Sequence, residues 1–280
     1  MGSGSFDSSA YAAYARSTGK KIGADGVVSS GHKFTSRANS GFDAKNVVRE
    51  CINTTEHPNT VPVILALDVT GSMGSASVRT ASALGKIALN LIDKNPGKDL
   101  EFLAMGIGDI ECDEYPIQVS QFESDKRILE SMDNIYQEHG GGGNDYESYS
   151  AAWYFGLYQT KLDSFDKQNR KGIIITMGDE PLNPTLPAYL LKEFVGNMPR
   201  GALVDTKKLY NKAKSKFDIY HIIIDDSSTL YGRCGQHDRD IIEKSWDILG
   251  ENLHITSVTK LPDVIEECIQ KSISSQPQIV

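Results

Sequence analysis

Three short segments carry side chains able to do chemistry together. Asp68-Val69-Thr70-Gly71-Ser72-Met73-Gly74 follows a run of apolar residues, and Gly178-Asp179-Glu180-Pro181 follows another. Between them lies Gly140-Gly141-Gly142-Gly143-Asn144-Asp145-Tyr146-Glu147-Ser148. All three combine small oxygen-bearing residues with glycine. Carboxylate, hydroxyl and amide oxygens are hard donors that suit Mg²⁺, Ca²⁺ or Mn²⁺ and not zinc. The alternation Asp68-x-Thr70-x-Ser72 lets three side chains converge on one side of a tight loop, and Gly71 removes the steric bar to that turn. Other chemistries lack their residues. The glycine run is not followed by Lys-Ser/Thr, so it is no phosphate loop, and no Ser-His-Asp context appears. Asp225-Asp226 and Asp109/Glu111 read as solvated charges at strand ends, and His221 and His254 as structural histidines. The lysines from Lys207 to Lys216 read as a solvated helix face. Tyr149, Trp153, Tyr154 and Tyr158 recur at helical spacing, which predicts core packing.

The elements that must position these segments alternate strand with helix. Residues 61–67 are continuously apolar, as expected of a strand covered on both faces. Residues 77–93 follow with Val78, Ala81, Leu84, Ala88 and Leu91 at helical spacing. Strands are then predicted at 100–107, 172–177, 217–224 and 255–258, and helices at 124–137, 148–162, 205–216, 238–253 and 262–273. This order predicts an α/β fold, doubly wound, with a mainly parallel sheet and helices on both faces. In such a sheet ligands bind beyond the carboxyl ends of the strands, where Asp68 and Asp179 stand.

The chain has 280 residues and a formal net charge of −8, with 39% hydrophobic and 24% charged residues. That is the composition of a globular protein and not of a disordered or fibrous one. Residues 61–280 carry −10 and residues 1–60 carry +2. An acidic body argues against nucleic acid and is compatible with divalent cations. No apolar run reaches the ~20 residues of a membrane helix, and the start lacks the apolar core of a secretory signal. The four cysteines, Cys51, Cys112, Cys234 and Cys268, form no CxxC pair and read as reduced thiols of a cytoplasmic protein. Sixteen of residues 1–42 are Gly or Ser. We therefore divide the chain into a Gly/Ser-rich N-terminal extension (1–60) and a main domain (61–280). Residues 1–42 are expected as a mobile or loosely docked arm anchored by Tyr11, Tyr14, Phe34 and Phe42.

Asp68-Val69-Thr70-Gly71-Ser72 at the end of an apolar strand resembles the first motif of the metal-ion-dependent adhesion site of von Willebrand factor A domains. Asp179 after the central strand matches the third contribution to that site. The glycine run is similar to a Gly-Gly-Gly-Asp-x-Pro-Glu loop of intracellular, largely microbial A domains. That alignment puts Asn144 at the Asp and Glu147 at the Glu, with Asp145 a competing donor. The resemblance covers roughly residues 61–273. It implies a non-enzymatic protein-binding module in which Asp68, Thr70, Ser72, Asn144 or Asp145, and Asp179 hold a divalent cation, Mg²⁺ foremost. A partner's acidic residue would complete the coordination, and AAA-type ATPases of the MoxR class are the partners it suggests. The alternative is enzymatic. Asp68-Val69-Thr70-Gly71-Ser72 also resembles the nucleophile loop of Mg²⁺-dependent haloacid-dehalogenase-type phosphotransferases, with Gly178-Asp179 as their later metal motif. Those enzymes need a further Asp shortly after Gly-Asp, whereas Glu180-Pro181-Leu182-Asn183-Pro184 follows here.

Overall fold

The computed structural model describes residue 17 and residues 38–94, 99–125, 127–138 and 144–276. Its centre is a six-stranded sheet in the order β10-β9-β6-β2-β3-β4. The strands are β2 (Thr60–Asp68), β3 (Asp99–Ile107), β4 (Ile117–Glu123), β6 (Gly172–Gly178), β9 (Phe217–Ile224) and β10 (Leu253–Thr256). All neighbours run parallel except β3 and β4. The edge strand β4 was not expected, because Gln118, Ser120 and Gln121 interrupt its apolar residues. Two of these polar side chains are nonetheless buried: Gln118 accepts from the Tyr136 amide, and Ser120 donates to its neighbour's carbonyl.

The strand period of two divides the core. Val61, Val63, Leu65 and Leu67 of β2 join Ile173, Ile175 and Met177 of β6 on one face. Helices α1 (Ser75–Lys94) and α9 (Leu261–Ser275) cover that face. In α9 the buried residues Leu261, Ile265, Cys268, Ile269 and Ile273 follow helical spacing, with Pro262 and Asp263 in the first turn. Ile64 and Ala66 of β2 and Ile174 of β6 face the other side. There they meet α3 (Ser150–Tyr158), α6 (Thr206–Ala213) and α8 (Gln236–Ser245). Each fully buried Leu, Ile or Val stabilises the fold by about 1.5–3 kcal/mol, so this double coverage fixes where the strand ends point.

Shorter elements complete the chain: α2 (Arg127–Asp133), α4 (Asp163–Asp166), α5 (Ala188–Phe194), α7 (Leu230–Arg233) and the ribbon of β7 (Thr185–Pro187) with β8 (Leu203–Asp205). The helix expected over 148–162 stops at Tyr158. Residues Thr160–Leu162 form β5, which pairs in parallel with β1 (Arg49–Cys51). Lys216 ends that helix: its Nζ donates to the carbonyls of Thr160 (2.7 Å), Gly156 (3.3 Å) and Leu157 (3.4 Å). This buried lysine belongs to the series read as a solvated face, whereas Lys207, Lys208, Lys212 and Lys214 are exposed as that reading expects. Residues 38–60, grouped by composition with the extension, pack on the main body. Ala44 and Cys51 are fully buried and Phe42 is docked. Arg49 Nη2 donates to the carbonyls of Gly41 (2.9 Å) and Val119 (3.0 Å). Tyr11, Tyr14 and Phe34 lie outside the described residues.

Candidate metal centre

Asp68 is the last residue of β2 and Asp179 the first after β6, the adjacent strand, so register places both at one edge of the sheet. Asp68 is fully buried. Its Oδ1 accepts from the Thr70 amide (2.9 Å) and from Thr70 Oγ1 (2.6 Å). Thr70 Oγ1 lies 3.1 Å from Ser72 Oγ, and Ser72 Oγ donates to Asp179 Oδ1 (3.0 Å). The other Asp179 oxygen accepts from the amide of Leu230, the first residue of α7 after β9. Four of the expected side chains, Asp68, Thr70, Ser72 and Asp179, thus form one continuous chain of oxygens across two strand ends. Gly74, at φ +50°, sits so close to the Ser228 carbonyl that a side chain would collide with it, which lets the loop turn straight into α1.

The glycine run Gly140–Gly143 lies outside the described residues. Asn144 is half-buried, its Nδ2 sealed and without a partner among the described residues, and Asp145 is exposed. Neither bonds to Asp68, Ser72 or Asp179 among the described residues. The structure therefore brings together the first and third segments and leaves the second beside them.

Tyr149, expected as a core packer, is the side chain that joins the two strand ends. Its hydroxyl donates to Asp68 Oδ2 (2.6 Å) and accepts from the amides of Asp179 (3.2 Å) and Glu180 (3.3 Å). Gly178 makes room for it, since a Cβ there would overlap the phenol. The ring rests against His221 and Trp246, at 5.0 and 5.3 Å between centroids. His221 itself stacks on Trp246 at 3.5 Å, and its Nδ1 meets Thr176 Oγ1 at 2.8 Å. Burial holds that imidazole well below its usual pKa, so it is a neutral structural group, though its buried Nε2 has no partner among the described residues and it is not the fully satisfied histidine expected. The sequence signal for Tyr149 was general: a buried tyrosine hydroxyl needs a partner.

The surroundings are acidic. Asp109, read as a solvated charge, is buried instead. Its Oδ1 accepts from the Glu111 amide (2.9 Å) and its Oδ2 has no partner among the described residues. Its backbone amide donates to Asp113 (2.7 Å). Glu147 is buried with Oε2 also unpartnered. Burial, reinforced by Asp68, pushes Glu147 up to about 11, Asp179 up to about 8 and Glu180 up to about 7. Burial also raises Asp113 to about 6. Asp68 is raised by its own burial and drawn back down by Thr70 and Tyr149. A cluster in which carboxylates are this hard to ionise is short of positive charge.

The donor set fits a hard dication. At metal–oxygen distances of 2.0–2.1 Å, neighbouring ligands of an octahedral Mg²⁺ stand about 2.9 Å apart. The Thr70–Ser72 and Ser72–Asp179 oxygen separations, 3.1 and 3.0 Å, are close to that spacing. Among the described residues no three His, Cys, Asp or Glu side chains converge as a metal site. The converging oxygens here belong to two carboxylates and two hydroxyls.

No protein-family model and no curated protein matches the chain. Solved structures do. The chain is similar to the vWF domain of the type V pili tip protein Mfa5 from Porphyromonas gingivalis, with a TM-score of 0.50 and 11% identity, over 79% of this chain and 97% of that one. It is also similar to the pilus adhesin SpaC from Lactobacillus rhamnosus GG, with a TM-score of 0.50 and 12% identity, over 82% of this chain. It spans only 32% of SpaC. With a parallel sheet closed by one antiparallel edge strand, helices on both faces and Asp68 at the end of a central strand, the fold of this chain is that of a von Willebrand factor A domain.

Proposed function

We propose that the chain is a metal-dependent protein-interaction module whose adhesion-type site takes a divalent cation and, through it, an acidic residue of a partner. The observation that carries this reading is the run of oxygens from Asp68 through Thr70 and Ser72 to Asp179 across two strand ends. Ser72, Thr70 and Asp179 would hold the ion, with Asp68 beside them and Asn144 or Asp145 reaching in from the second loop. Mg²⁺ suits the spacing best, with Ca²⁺ and Mn²⁺ as alternatives. Bound there, the cation supplies the positive charge that the cluster lacks. Its charge would offset the mutual repulsion of Asp68, Asp179, Glu180 and Glu147 and leave an attractive centre for a partner's carboxylate. An intracellular complex with an AAA-type ATPase is the setting that the resemblance suggests.

A binding module is favoured over a phosphotransferase. A nucleophilic Asp68 would have to present a carboxylate oxygen to substrate. Here both are engaged, one by Thr70 and one by Tyr149, in a fully buried side chain.

Titration calorimetry with Mg²⁺, Mn²⁺ and Ca²⁺ tests the site. Binding of at least one at millimolar concentration or below is expected. It should be abolished in Asp68→Ala, which keeps the fold by circular dichroism at a lower Tm, because the loss of carboxylate repulsion is set against the Thr70 and Tyr149 donors left without their acceptor. No binding of any cation refutes the site, and a collapsed Asp68→Ala fold makes Asp68 structural. Mg²⁺-dependent turnover of a generic phosphate ester, lost in Asp68→Asn, would restore the enzymatic reading.

A further inference from the structure

Strand β8 and the loop before it stand between β6 and α6 in the chain, and with α3 and α6 they build a groove of 470 Å³. Its large apolar side chains are unusually open: Tyr158 is 45% exposed, Leu203 57% and Met198 62%. Such side chains gathered in one patch mark an interaction surface. Arg200, Lys208 and Lys212 also line it, all of them exposed. None of the three forms an ion pair among the described residues. The one acid in the lining, Asp205, is occupied as the cap of α6, accepting from the Lys208 amide at 2.8 Å. On a chain of net charge −8 this is a local island of positive charge. The three residues of β8 line the groove as well, and β8 pairs with β7 only, so its second edge carries no strand among the described residues.

We propose that this groove docks an extended acidic segment of a partner protein, in which apolar residues alternate with Asp or Glu. An unpaired strand edge accepts an added strand through main-chain hydrogen bonds, while alternate side chains enter pockets. Here the apolar side chains would meet Tyr158, Met198 and Leu203, and the acidic ones Arg200, Lys208 and Lys212. Two other occupants fit less well. Residues 1–37 carry five Lys or Arg against two Asp, the same sign as the groove. A second copy of the chain carries −8 and is repelled over distance by the first. The groove is separate from the metal centre. Ser150, whose amide bonds to Asn183, begins α3 near the strand ends, and Tyr158 lies about 12 Å further along that helix.

The test uses the full chain in excess EDTA, so that the metal centre contributes nothing. A dye-labelled decapeptide alternating Glu or Asp with Leu or Phe is titrated by fluorescence anisotropy, beside a peptide with Lys in place of every acid. The acidic peptide is expected to bind at least about tenfold more tightly than the basic one. Its affinity should fall about tenfold or more in Lys208→Glu/Lys212→Glu, in Arg200→Glu, and on raising salt from roughly 50 mM to roughly 500 mM. All three side chains are exposed, and melting curves confirm that the variants fold. No binding, equal binding of the two peptides, or wild-type affinity in both charge-reversed variants overturns the proposal. A dimer in sedimentation velocity that Lys208→Glu/Lys212→Glu dissociates also overturns it, by assigning the groove to a second copy. Because metal is absent throughout, failure here leaves the calorimetric test of Asp68 untouched.

Discussion

Tyr149→Phe separates packing from site construction, because it removes one oxygen and keeps the ring. The ring lies against His221 and Trp246, and phenylalanine preserves those contacts. If Tyr149 were only a core residue, the substitution would cost little. The hydroxyl, however, gives Asp68 Oδ2 its hydrogen bond, at 2.6 Å in a fully buried setting. A hydrogen bond to a charged group contributes about 1.5–3 kcal/mol, and losing it strands a buried carboxylate oxygen. The two amides it accepts from, Asp179 at 3.2 Å and Glu180 at 3.3 Å, are long bonds and add less. We expect a loss of about 2–3 kcal/mol in EDTA. At about 2–4 °C per kcal/mol for a domain of this size, that lowers Tm by roughly 5–10 °C. If the proposed site is right, cation affinity measured on the same samples falls about tenfold, since Asp68 is no longer held in place. A Tm within about 1 °C of wild type would refute the reasoning by showing that the hydroxyl is not a tie.

Two further perturbations follow from buried charge. In EDTA, Asp113, Glu180 and Asp179 are raised by burial to about 6, 7 and 8 from ordinary values of 3.8, 4.5 and 3.8. The native state therefore keeps protons that the unfolded chain releases, and stability falls as pH rises from about 4 through 8, by on the order of several kcal/mol. Urea unfolding at stepped pH should show that decline in EDTA and a shallower one in Mg²⁺, and a flat or rising EDTA curve would contradict it. Lys216→Met keeps the apolar stem of the lysine and removes its donors from the carbonyls of Gly156, Leu157 and Thr160. The expected cost is about 2–3 kcal/mol, seen as a lower urea midpoint at constant slope, and an unchanged midpoint would refute the capping role.

The legible parts of the sequence are those in which local pattern and tertiary environment agree. Residues 61–67 are apolar at every position because β2 is covered on both faces, and β6 and most of β9 are buried in the same way, with only Thr176 breaking the apolar run of β6. Asp68-x-Thr70-x-Ser72 is legible because its three oxygens belong to one loop. What stayed hidden depends on partners distant in sequence. The Tyr149 hydroxyl finds its acceptor 81 residues away. Lys216 reads as one more surface lysine until α3 is seen to end beneath it. Asp109 follows β3 as any solvated loop acid would, but the loop folds over it and Asp113 takes its amide. Strand β4 is disguised by buried Gln118 and Ser120, which accept from the amides of Tyr136 and Ala104 in other segments.

The same distinction bears on how the site would work. Had Asp68 and Asp179 been free side chains, a cation would have to gather them and offset their lost rotamer freedom, which costs up to about 1–2 kcal/mol per side chain. Here that ordering is complete before any ligand arrives. Tyr149 fixes Asp68 from behind while touching the backbone of Asp179. Thr70 fixes it from the front, and the Leu230 amide fixes the far oxygen of Asp179. Every one of these ties is made by a rigid element: β2 and its turn, the first residue before α3, or the first turn of α7. Such a frame leaves the hydroxyls of Thr70 and Ser72, 3.1 Å apart, as adjacent oxygens with spare lone pairs. A cation bound beside them, with the two hydroxyls as neighbouring ligands, would find those oxygens in place, so its binding energy would remain available for the group a partner brings.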